Sequence, residues 1–427
     1  MRNTLIRLAL PILLCLPAIA YSQQRTEDSL MLASYDMVWE TVNETHYDPS
    51  FGGLDWNEVY NRYRDSVAGG VSDDDFVRIA NKMLQEMHLS HYAVFFMKEK
   101  GRSGSPLLSA GTVGMDVRLL DDKVVVTSVK PGFSAALAGL EPGYVIESMD
   151  SIPVGRIIED TRADQLPHFN ERNKLSEIGD ELINRLYGSP GTQFAIGYRD
   201  GSGSFHETTL TRRERTGKTI LSEEFPPVYI DFSAHRLDGN IGYVTFSAFV
   251  PPVDEKFINA IDSMQDVRGL IIDIRGNPGG MHEVGEAIAS KLIKQETLFS
   301  VFKYRDSTVE VVVQPEGNIY DGPVVVMIDV MNASASERFS GCIQSIGRAV
   351  ILGERSPGIV GPSDLKELPN GATFMCLVAQ SLTPDGLVLE GHGVVPDIEV
   401  ALDPEQLLSG VDTQLQRAIE YIMQETR

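Results

Sequence analysis

The sequence predicts an α/β protein of several domains, with the main core in its C-terminal half. From about residue 238 onward, short apolar runs typical of buried strands alternate with segments whose apolar residues recur at helical spacing. Alternation on this scale favours a parallel sheet with helices on both faces. Residues 23–103 carry mainly helical patterns, and residues 107–213 carry short β-rich runs separated by turns. A chain of 427 residues is long enough for two or three such domains.

The first 22 residues have the pattern of a secretory signal peptide. Arg2 and Arg7 precede an apolar run over residues 8–16, and residues 17–20 offer a cleavage site made of small residues. The apolar run is too short for a good membrane span, and no other segment could span a membrane. We therefore predict a mature protein that is secreted across the inner membrane into the periplasm or the extracellular space.

The N-terminal domain, residues 23–103, is predicted to be helical. Residues 28–45 and 56–67 place apolar side chains at three- and four-residue spacing, and Ser72 resembles the cap of a third helix with an acidic first turn. That helix leads towards His88 and His91, which lie one helical turn apart. A histidine pair at this spacing could bind a metal ion, but no third ligand is evident, so we expect no metal.

The middle and C-terminal domains are defined by their strand and helix patterns. Residues 107–213 are predicted to form a small β domain with one or two helices, whose strands are 113–119, 123–129, 144–149, 193–198 and 207–211, with helices at 134–138 and 175–187. Residues 214–427 are predicted to form the core, with strands at 241–246, 269–274 and 324–330, and helices at 254–264, 282–293, 335–346 and 404–425.

The charge and cysteine content exclude some classes of protein. The formal net charge of −23 becomes −25 when the two leader arginines are removed, which argues against nucleic acid or an anionic membrane surface as a partner. Only Cys342 and Cys376 remain after cleavage. One disulfide is possible in an oxidising compartment, but the fold cannot depend on a disulfide framework. Two thiols with few nearby histidines do not suggest a zinc site.

Residues 325–337 read as a buried strand that enters a turn of small residues and then a helix. A serine at such a corner, here Ser334, can expose its hydroxyl beside a helix N-terminus, which is a favourable place for a nucleophile. The same residues also fit a capping box, with Ser334 as the cap and Glu337 at the third helical position. The local pattern alone leaves both interpretations open.

Four separated segments, in order, resemble the C-terminal processing (tail-specific) serine peptidases. Residues 129–154 look like a bacterial PDZ domain, and residues 269–280 resemble the family's Asp-x-Arg-x-Asn-x-Gly-Gly run. Residues 334–337 match the nucleophile segment, and residues 390–397 resemble the C-terminal signature. The resemblance implies a crotonase/ClpP-like ββα-superhelix peptidase core over residues 214–427, with an inserted PDZ domain and an N-terminal helical domain. It also implies a peptide or protein substrate and no metal or organic cofactor.

The residue that acts as general base in this family is missing here. Tail-specific proteases use a lysine, and Ile359 stands at the matching position. The glutamine expected four residues later is replaced by Ser363. Isoleucine cannot accept a proton, so the usual Ser-Lys dyad is excluded at these positions. Lys366 is the nearest lysine, in a different sequence context.

A second branch of the family, represented by the tricorn core protease and the interphotoreceptor retinoid-binding protein modules, also lacks the lysine. The tricorn core protease uses a histidine that follows a serine before the PDZ domain, and a glutamate near the C-terminus. Ser90, His91 and Glu390 stand at the corresponding points. The resemblance therefore implies Ser334 as nucleophile, His91 as base and then acid, and Glu390 or Ser90 as the group that orients the system.

Each of these assignments has a structural alternative. The branch usually carries Asp-Ser-His-Thr, while residues 89–92 read Leu-Ser-His-Tyr. His91 could be a packed histidine at a helix end, and Glu390 could pair with a backbone amide or an arginine. His392 is a rival base two residues beyond Glu390.

The oxyanion hole and the peptide-binding edge also follow from the resemblance. Backbone amides of Gly279 and Gly280, together with that of Ala335, are expected to stabilise the tetrahedral intermediate. In the PDZ-like segment, a bound peptide is expected to add as a strand along the four residues Val113, Gly114, Met115 and Asp116, with its carboxylate held by backbone amides. A degenerate PDZ domain that only packs against the core is the alternative.

The sequence thus predicts a secreted serine endopeptidase of the tail-specific family that cleaves peptide bonds through an acyl-enzyme, with a Ser-His-Glu type site in place of the Ser-Lys dyad. The main alternative is a catalytically inactive protein on the same fold that binds peptide C-termini through its PDZ domain. Hydrolysis of a non-peptide ester or lipid-like ligand is a third possibility, for which a long apolar pocket beside Ser334 would be diagnostic.

Overall fold

The computed structural model describes residues 16–96, 105–166, 169–220 and 227–427. Most of the predicted signal peptide, residues 1–15, lies outside the described residues, as does the predicted end of the helical domain at residue 103. The chain divides into two compact units: the N-terminal unit, Met1–Lys98 with Ser363–Val378, and the core unit, Glu99–Pro362 with Ala379–Arg427.

The described residues contain helices and strands that are numbered here in chain order. The α-helices are α1 (Leu16–Thr45), α2 (Trp56–Ala68), α3 (Asp73–Gln85), α4 (Ser134–Leu137), α5 (Val154–Asp164), α6 (Glu171–Asn184), α7 (Val253–Ser263), α8 (His282–Ser290), α9 (Ala335–Ser345), α10 (Pro404–Leu408) and α11 (Thr413–Glu425). The strands of the first half are β1 (Ala93–Phe95), β2 (Gly111–Thr112), β3 (Met115–Leu120), β4 (Lys123–Val129), β5 (Val145–Met149), β6 (Ile152–Pro153), β7 (Tyr187–Gly188), β8 (Gln193–Arg199), β9 (Phe205–Thr211), β10 (Arg213–Glu214), β11 (Lys218–Thr219) and β12 (Val228–Tyr229). Those of the second half are β13 (Phe232–Leu237), β14 (Ile241–Phe246), β15 (Leu270–Asp273), β16 (Thr297–Lys303), β17 (Thr308–Val313), β18 (Val324–Ile328), β19 (Val350–Gly353), β20 (Ser363–Glu367), β21 (Thr373–Leu377), β22 (Gln380–Leu382) and β23 (Ile398–Glu399).

The N-terminal unit packs α1, α2 and α3 around a buried apolar cluster that includes Tyr35, Phe76 and Met83. The predicted cap of α3 forms, because the Ser72 hydroxyl accepts from the Asp75 amide at 3.1 Å. The three helices confirm the helical prediction. The unit also contains a small antiparallel sheet, in which β1 pairs with β21 and β21 with β20. The hairpin of β20 and β21 comes from residues 363–378, and local patterns could not assign it to this unit.

The residues between β3 and β9 form an antiparallel sheet in the order β3-β4-β5-β8-β9, with β6 paired to β5. Strand β4 has exactly the predicted bounds, and the others differ by a few residues at their ends. Three helices, α4, α5 and α6, accompany the sheet, where one or two were predicted. Helix α5 was missed because its apolar stripe is weak, and Ile157 is its only buried residue.

The centre of the core unit is a six-stranded sheet in the order β13-β14-β15-β18-β19-β23. Only the β13–β14 pair is antiparallel. Successive residues of β15 face opposite sides, so that Ile272 packs with apolar residues of α7, α8 and α9, whereas Ile271 packs with those of α11. Helices therefore cover both faces of a mainly parallel sheet, which confirms the α/β prediction.

Two details of the core unit bear on the sequence predictions. The single helix predicted over residues 404–425 is wrong, because Gly410, with φ of +76°, ends α10 and the Asp412 carboxylate caps α11 by accepting from Gln414 at 3.0 Å. Cys342 and Cys376 are both buried free thiols. None of the helices in the described ranges is both long and apolar enough to cross a membrane.

Candidate active site

Ser334 occupies a sharp turn between strand β18 and helix α9. Its backbone has φ of +54° and ψ of −121°, a conformation that residues with a side chain rarely adopt. Such strain costs about 1–3 kcal/mol and persists where the surrounding structure enforces it, most often at functional sites. A strained strand-to-helix turn that presents a serine is the arrangement known as a nucleophile elbow. The elbow places the Ser334 hydroxyl at the N-terminus of α9.

The predicted capping box at this turn is wrong. Ser334 stands at the N-cap position of α9, as predicted, but its side chain makes no capping hydrogen bond. The carboxyl group of Glu337 does not reach back to the start of the helix either, since it binds residues 356–359. The strained backbone of Ser334 explains this result, because a capping residue normally has extended backbone angles.

The predicted oxyanion residues meet Ser334 within the core unit. A side chain at Gly279 would bring its Cβ to 2.7 Å from the Ser334 Cβ and 2.8 Å from the Ala335 nitrogen, so only glycine fits there. Gly279 and Gly280 have φ of +102° and +138°. The Gly279 amide already donates to Asn277 Oδ1 at 2.9 Å. Gly279 therefore allows the glycine turn to approach Ser334 closely. The amides of Gly280 and Ala335 are better placed than that of Gly279 to donate to an oxyanion.

Buried polar side chains that were not predicted hold the glycine turn against the elbow. Asn332 donates to the Ile274 carbonyl at 2.6 Å, and the Ser336 hydroxyl donates to the Asn277 carbonyl at 2.8 Å. Asn277, Asn332 and Ser336 are all fully buried. Buried polar groups with complete hydrogen bonding fix a single local geometry, so this network sets the spacing between the two turns. The signal that could have identified the two asparagines is that each follows an apolar strand by four residues, Asn277 after β15 and Asn332 after β18.

Glu337 links the elbow to the segment that carries Ile359. Its carboxyl group accepts from the Ser356 hydroxyl, from the Gly358 amide at 2.8 Å and from the Ile359 amide at 2.7 Å. The Ile359 carbonyl in turn accepts from the Ser334 amide at 2.6 Å. Burial raises the pKa of Glu337 to about 8, and the nearby charge of Glu390 adds to this effect, although the three donors oppose it.

Glu390 lies beside the same segment. Its Oε2 accepts from the Val360 amide at 2.7 Å, so it makes the backbone contact that was the structural alternative for this residue. His392 is exposed, and its Nδ1 lies 3.0 Å from the Glu390 carbonyl oxygen. The structure therefore places Glu390, Glu337 and Ser334 around residues 358–360.

Ser90 and His91 belong to the N-terminal unit, where they follow α3. The Ser90 hydroxyl and the His91 Nδ1 lie 2.7 Å apart, and His91 has a φ of +60°. Burial lowers the pKa of His91 to about 4, so the imidazole is neutral at pH 7. The bulky ring of Tyr92 is turned into this unit, where its hydroxyl lies 2.8 Å from His46 Nδ1 and donates to the Leu377 carbonyl at 3.2 Å.

The alternative base Lys366 lies on β20 of the N-terminal unit, opposite Phe374 of β21, and the same strand begins at Ser363. No group of three or more histidine, cysteine, aspartate or glutamate side chains is placed to hold a metal ion anywhere in the described ranges.

The predicted peptide-binding residues lie at the start of β3, which is an edge strand of its sheet. Two of their amides are already engaged, since Val113 donates to the Leu186 carbonyl at 3.2 Å and Gly114 donates to the Thr112 hydroxyl at 3.1 Å. The side chains of Val113 and Met115 are buried, whereas Asp116 is partly exposed. A further strand can pair with this edge along Met115 and Asp116. The backbone amides of Val113 and Gly114, which precede the strand and were expected to help hold a peptide carboxylate, already have acceptors.

The Asp-x-Arg part of the glycine-rich run holds the fold together. Arg275 contacts Asp273 at 2.6 Å and Asp412 at 2.8 Å, and the Tyr243 hydroxyl donates to Asp273 at 2.7 Å. These contacts tie the end of β15 to the cap of α11. They also set the direction in which the chain enters the glycine turn.

Comparison with known proteins agrees with this architecture. Residues 240–400 match the sequence model of peptidase family S41, and residues 32–85 match that of the tricorn protease C1 domain. A carboxyl-terminal-processing protease of Picosynechococcus sp. is 26% identical over 420 residues, which cover 96% of this chain and 91% of that protein.

Two solved structures show the same fold. The photosystem II D1 C-terminal processing protease superposes with a TM-score of 0.56 at 21% identity, over 89% of this chain and 94% of the other. The tricorn protease superposes with a TM-score of 0.54 at 19% identity, over 94% of this chain and 37% of the other. Residues 240–400 therefore belong to peptidase family S41, a family of serine peptidases.

Proposed function

We propose that this protein is an exported serine endopeptidase that cleaves peptide bonds through an acyl-enzyme formed on Ser334. The observation that carries the proposal is the strained elbow at Ser334, packed against a glycine turn that no side chain could enter. A helix cap does not require a strained backbone, so the strain at Ser334 would lower the stability of the fold without benefit if this residue served only as a cap. The carboxyl-terminal-processing name of the Picosynechococcus relative suggests substrates that are cut near their C-termini.

In the proposed mechanism, the Ser334 oxygen attacks the carbonyl carbon of the scissile bond while His91 takes its proton. The tetrahedral oxyanion accepts hydrogen bonds from the amides of Gly280 and Ala335. His91 then gives the proton to the leaving amine, and water hydrolyses the acyl-enzyme by the reverse proton path. His91 is neutral at pH 7, as a general base must be, and the burial that lowers its pKa also makes it a weaker base than a solvated imidazole.

The orienting group in this proposal is Ser90, whose hydroxyl lies 2.7 Å from the His91 ring nitrogen. A hydrogen bond to one ring nitrogen fixes the tautomer and the orientation of the ring. Glu390 acts instead by holding Val360, next to the position from which the family lysine is missing. A Ser-His pair supported by Glu390 therefore replaces the Ser-Lys dyad.

The finer parts of the fold belong to the same proposal. The core is a crotonase/ClpP-like superhelix, and residues 107–213 form a PDZ domain that captures substrate along the edge of β3. Residues 1–22 direct export. The six-stranded antiparallel sheet with an open edge at β3 supports the PDZ assignment.

Hydrolysis of an unfolded protein such as reduced casein tests the proposal. His91→Asn is the informative variant and His88→Asn its matched control, because both histidines have a positive φ, which asparagine tolerates. We expect Ser334→Ala to abolish hydrolysis and His91→Asn to lower kcat by about 10²–10⁴-fold, the usual contribution of a general base. His88→Asn should leave it unchanged. Full activity in His91→Asn would overturn the mechanism, and peptide binding without any hydrolysis would instead support the inactive alternative.

A further inference from the structure

The core unit contains a cavity of about 950 Å³ between the edge of β3, helix α6 and the strands of the central sheet. Its wall includes Met115 and Asp116, the part of the predicted peptide edge that can pair with a further strand. The wall also includes Pro278 and Met331, which lie one residue before Gly279 and three residues before Ser334. The cavity thus runs from the edge strand to the neighbourhood of the elbow.

Most charged side chains in the cavity wall are held by fixed partners. Arg118 pairs with Asp329 at 2.8 Å and with Asp116 at 3.0 Å. Asp231 pairs with both Arg215 and Lys130, each at 2.9 Å. These groups already have a counter-ion and have little electrostatic reason to bind another charge.

Asp180 is the exception among the acidic side chains of the wall. It lies on α6, its side chain is exposed, and it makes no ion pair or hydrogen bond with any of the described residues. Restricted solvation raises the pKa of Asp180 to about 7, with Glu177 and Asp329 adding to the effect and Arg118 opposing it. A cation that binds such a poorly solvated carboxylate stabilises its ionised form, because the cation takes the place of the missing water molecules.

We propose that Asp180 is a specificity-determining residue that binds the side chain of a lysine or arginine in the peptide substrate. A peptide that adds to the edge of β3 passes α6, because this helix packs on the strand. Alternate side chains of an added strand point towards that helix, so one position of the substrate faces Asp180. The proposal rests on the proposed peptidase function.

A panel of internally quenched peptides tests this inference. Each peptide carries either lysine or norleucine, an apolar residue of similar length, at one position of an alanine-rich sequence. At one position we expect kcat/KM to favour lysine over norleucine by about 5- to 150-fold, the range of a single charge-assisted contact. Asp180→Asn should remove this preference. Glu181→Gln is the matched control, because it changes the same charge on the next residue, which pairs with Arg185 at 2.6 Å.

The pH dependence of the lysine preference is a second test, because a purely structural role of Asp180 would not make this preference depend on pH. A carboxylate attracts a cation only when it is ionised, so the lysine preference should grow as the pH rises from 6 to 8. The charged groups that act on Asp180 are Glu177 of the same helix, Arg118 of β3 and Asp329, which follows β18.

Two outcomes would overturn the inference: no position favours lysine, or Asp180→Asn keeps the preference. The protein could bind these peptides without hydrolysing them, so binding is measured independently of activity. The same peptides are titrated into the Ser334→Ala protein and the binding is followed by calorimetry. Lysine-selective binding that Asp180→Asn abolishes would support the role of Asp180 even if the parent protein hydrolysed none of the peptides. Equal binding of the lysine and norleucine peptides would refute that role, whatever the activity.

Discussion

Replacing Glu337 by glutamine isolates the contact that joins the elbow to the Ile359 segment. Both oxygens of Glu337 accept from backbone amides, one from Gly358 at 2.8 Å and the other from Ile359 at 2.7 Å. Glutamine has one oxygen and one NH₂ group. Whichever way its amide is turned, the NH₂ group faces one of these two backbone donors, which is then left without an acceptor.

The structure sets the size of the effect. An unsatisfied donor in a buried site costs about 1–3 kcal/mol, and Glu337 and Gly358 are both buried. Local opening of residues 356–360 should therefore become about 5- to 150-fold more frequent. The Ile359 carbonyl holds the Ser334 amide at 2.6 Å, so the disturbance should reach the nucleophile.

Hydrogen exchange of peptides that cover residues 356–360 measures the opening, and the rate of fluorophosphonate labelling at Ser334 measures its consequence. Glu283→Gln is the matched control, because Glu283 stands in the first turn of α8 as Glu337 does in α9, but its side chain is exposed. We predict faster exchange and at least fivefold slower labelling for Glu337→Gln, with neither change in the control. Labelling at the parental rate, despite faster exchange, would refute a positioning role for Glu337.

Three further predictions follow from the same geometry. Ser334→Gly should be more stable than Ser334→Ala by about 1 kcal/mol in urea unfolding, because glycine relieves the strain at φ of +54°; a less stable glycine variant would contradict the strain. The acid limb of kcat/KM should lie near pH 4, because activity is lost only as the pH falls through the lowered pKa of His91; a limb near pH 6.5 would show that another group is the base. Arg275→Met should lower stability by about 3–5 kcal/mol, because it leaves buried Asp273 without its cation; a urea midpoint unchanged from that of the parent protein would contradict this.

Local patterns were sufficient to predict most of the helices, but fewer than half of the strands in the described residues. Strand β4 and strand β14 have exactly the predicted bounds, because alternating or continuous apolar runs end at clear turn residues. The break between α10 and α11 was missed although Gly410 and Asp412 signalled it. The hairpin of residues 363–378 could not be assigned to the N-terminal unit, because its partners lie far away in the sequence.

The candidate site was predictable only in part. The glycine turn and Ser334 could be located because each is a short motif. The role of Glu337 was misjudged, because the capping box that it resembles is a local interaction, whereas its actual partners are about 20 residues further along the chain. Asn277 and Asn332 were missed for a related reason: burial, which makes their hydrogen bonds important, is a property of the folded chain.

Fluorophosphonate treatment followed by peptide mapping tests the central claim most directly. We predict a single covalent adduct on Ser334, formed by the parent protein and by His88→Asn but lost in His91→Asn. The probe reports on the activated hydroxyl itself, so the result does not depend on the choice of substrate. Absence of an adduct on Ser334 in the folded parent protein, or an adduct that persists in His91→Asn, would contradict the proposal that His91 activates this serine.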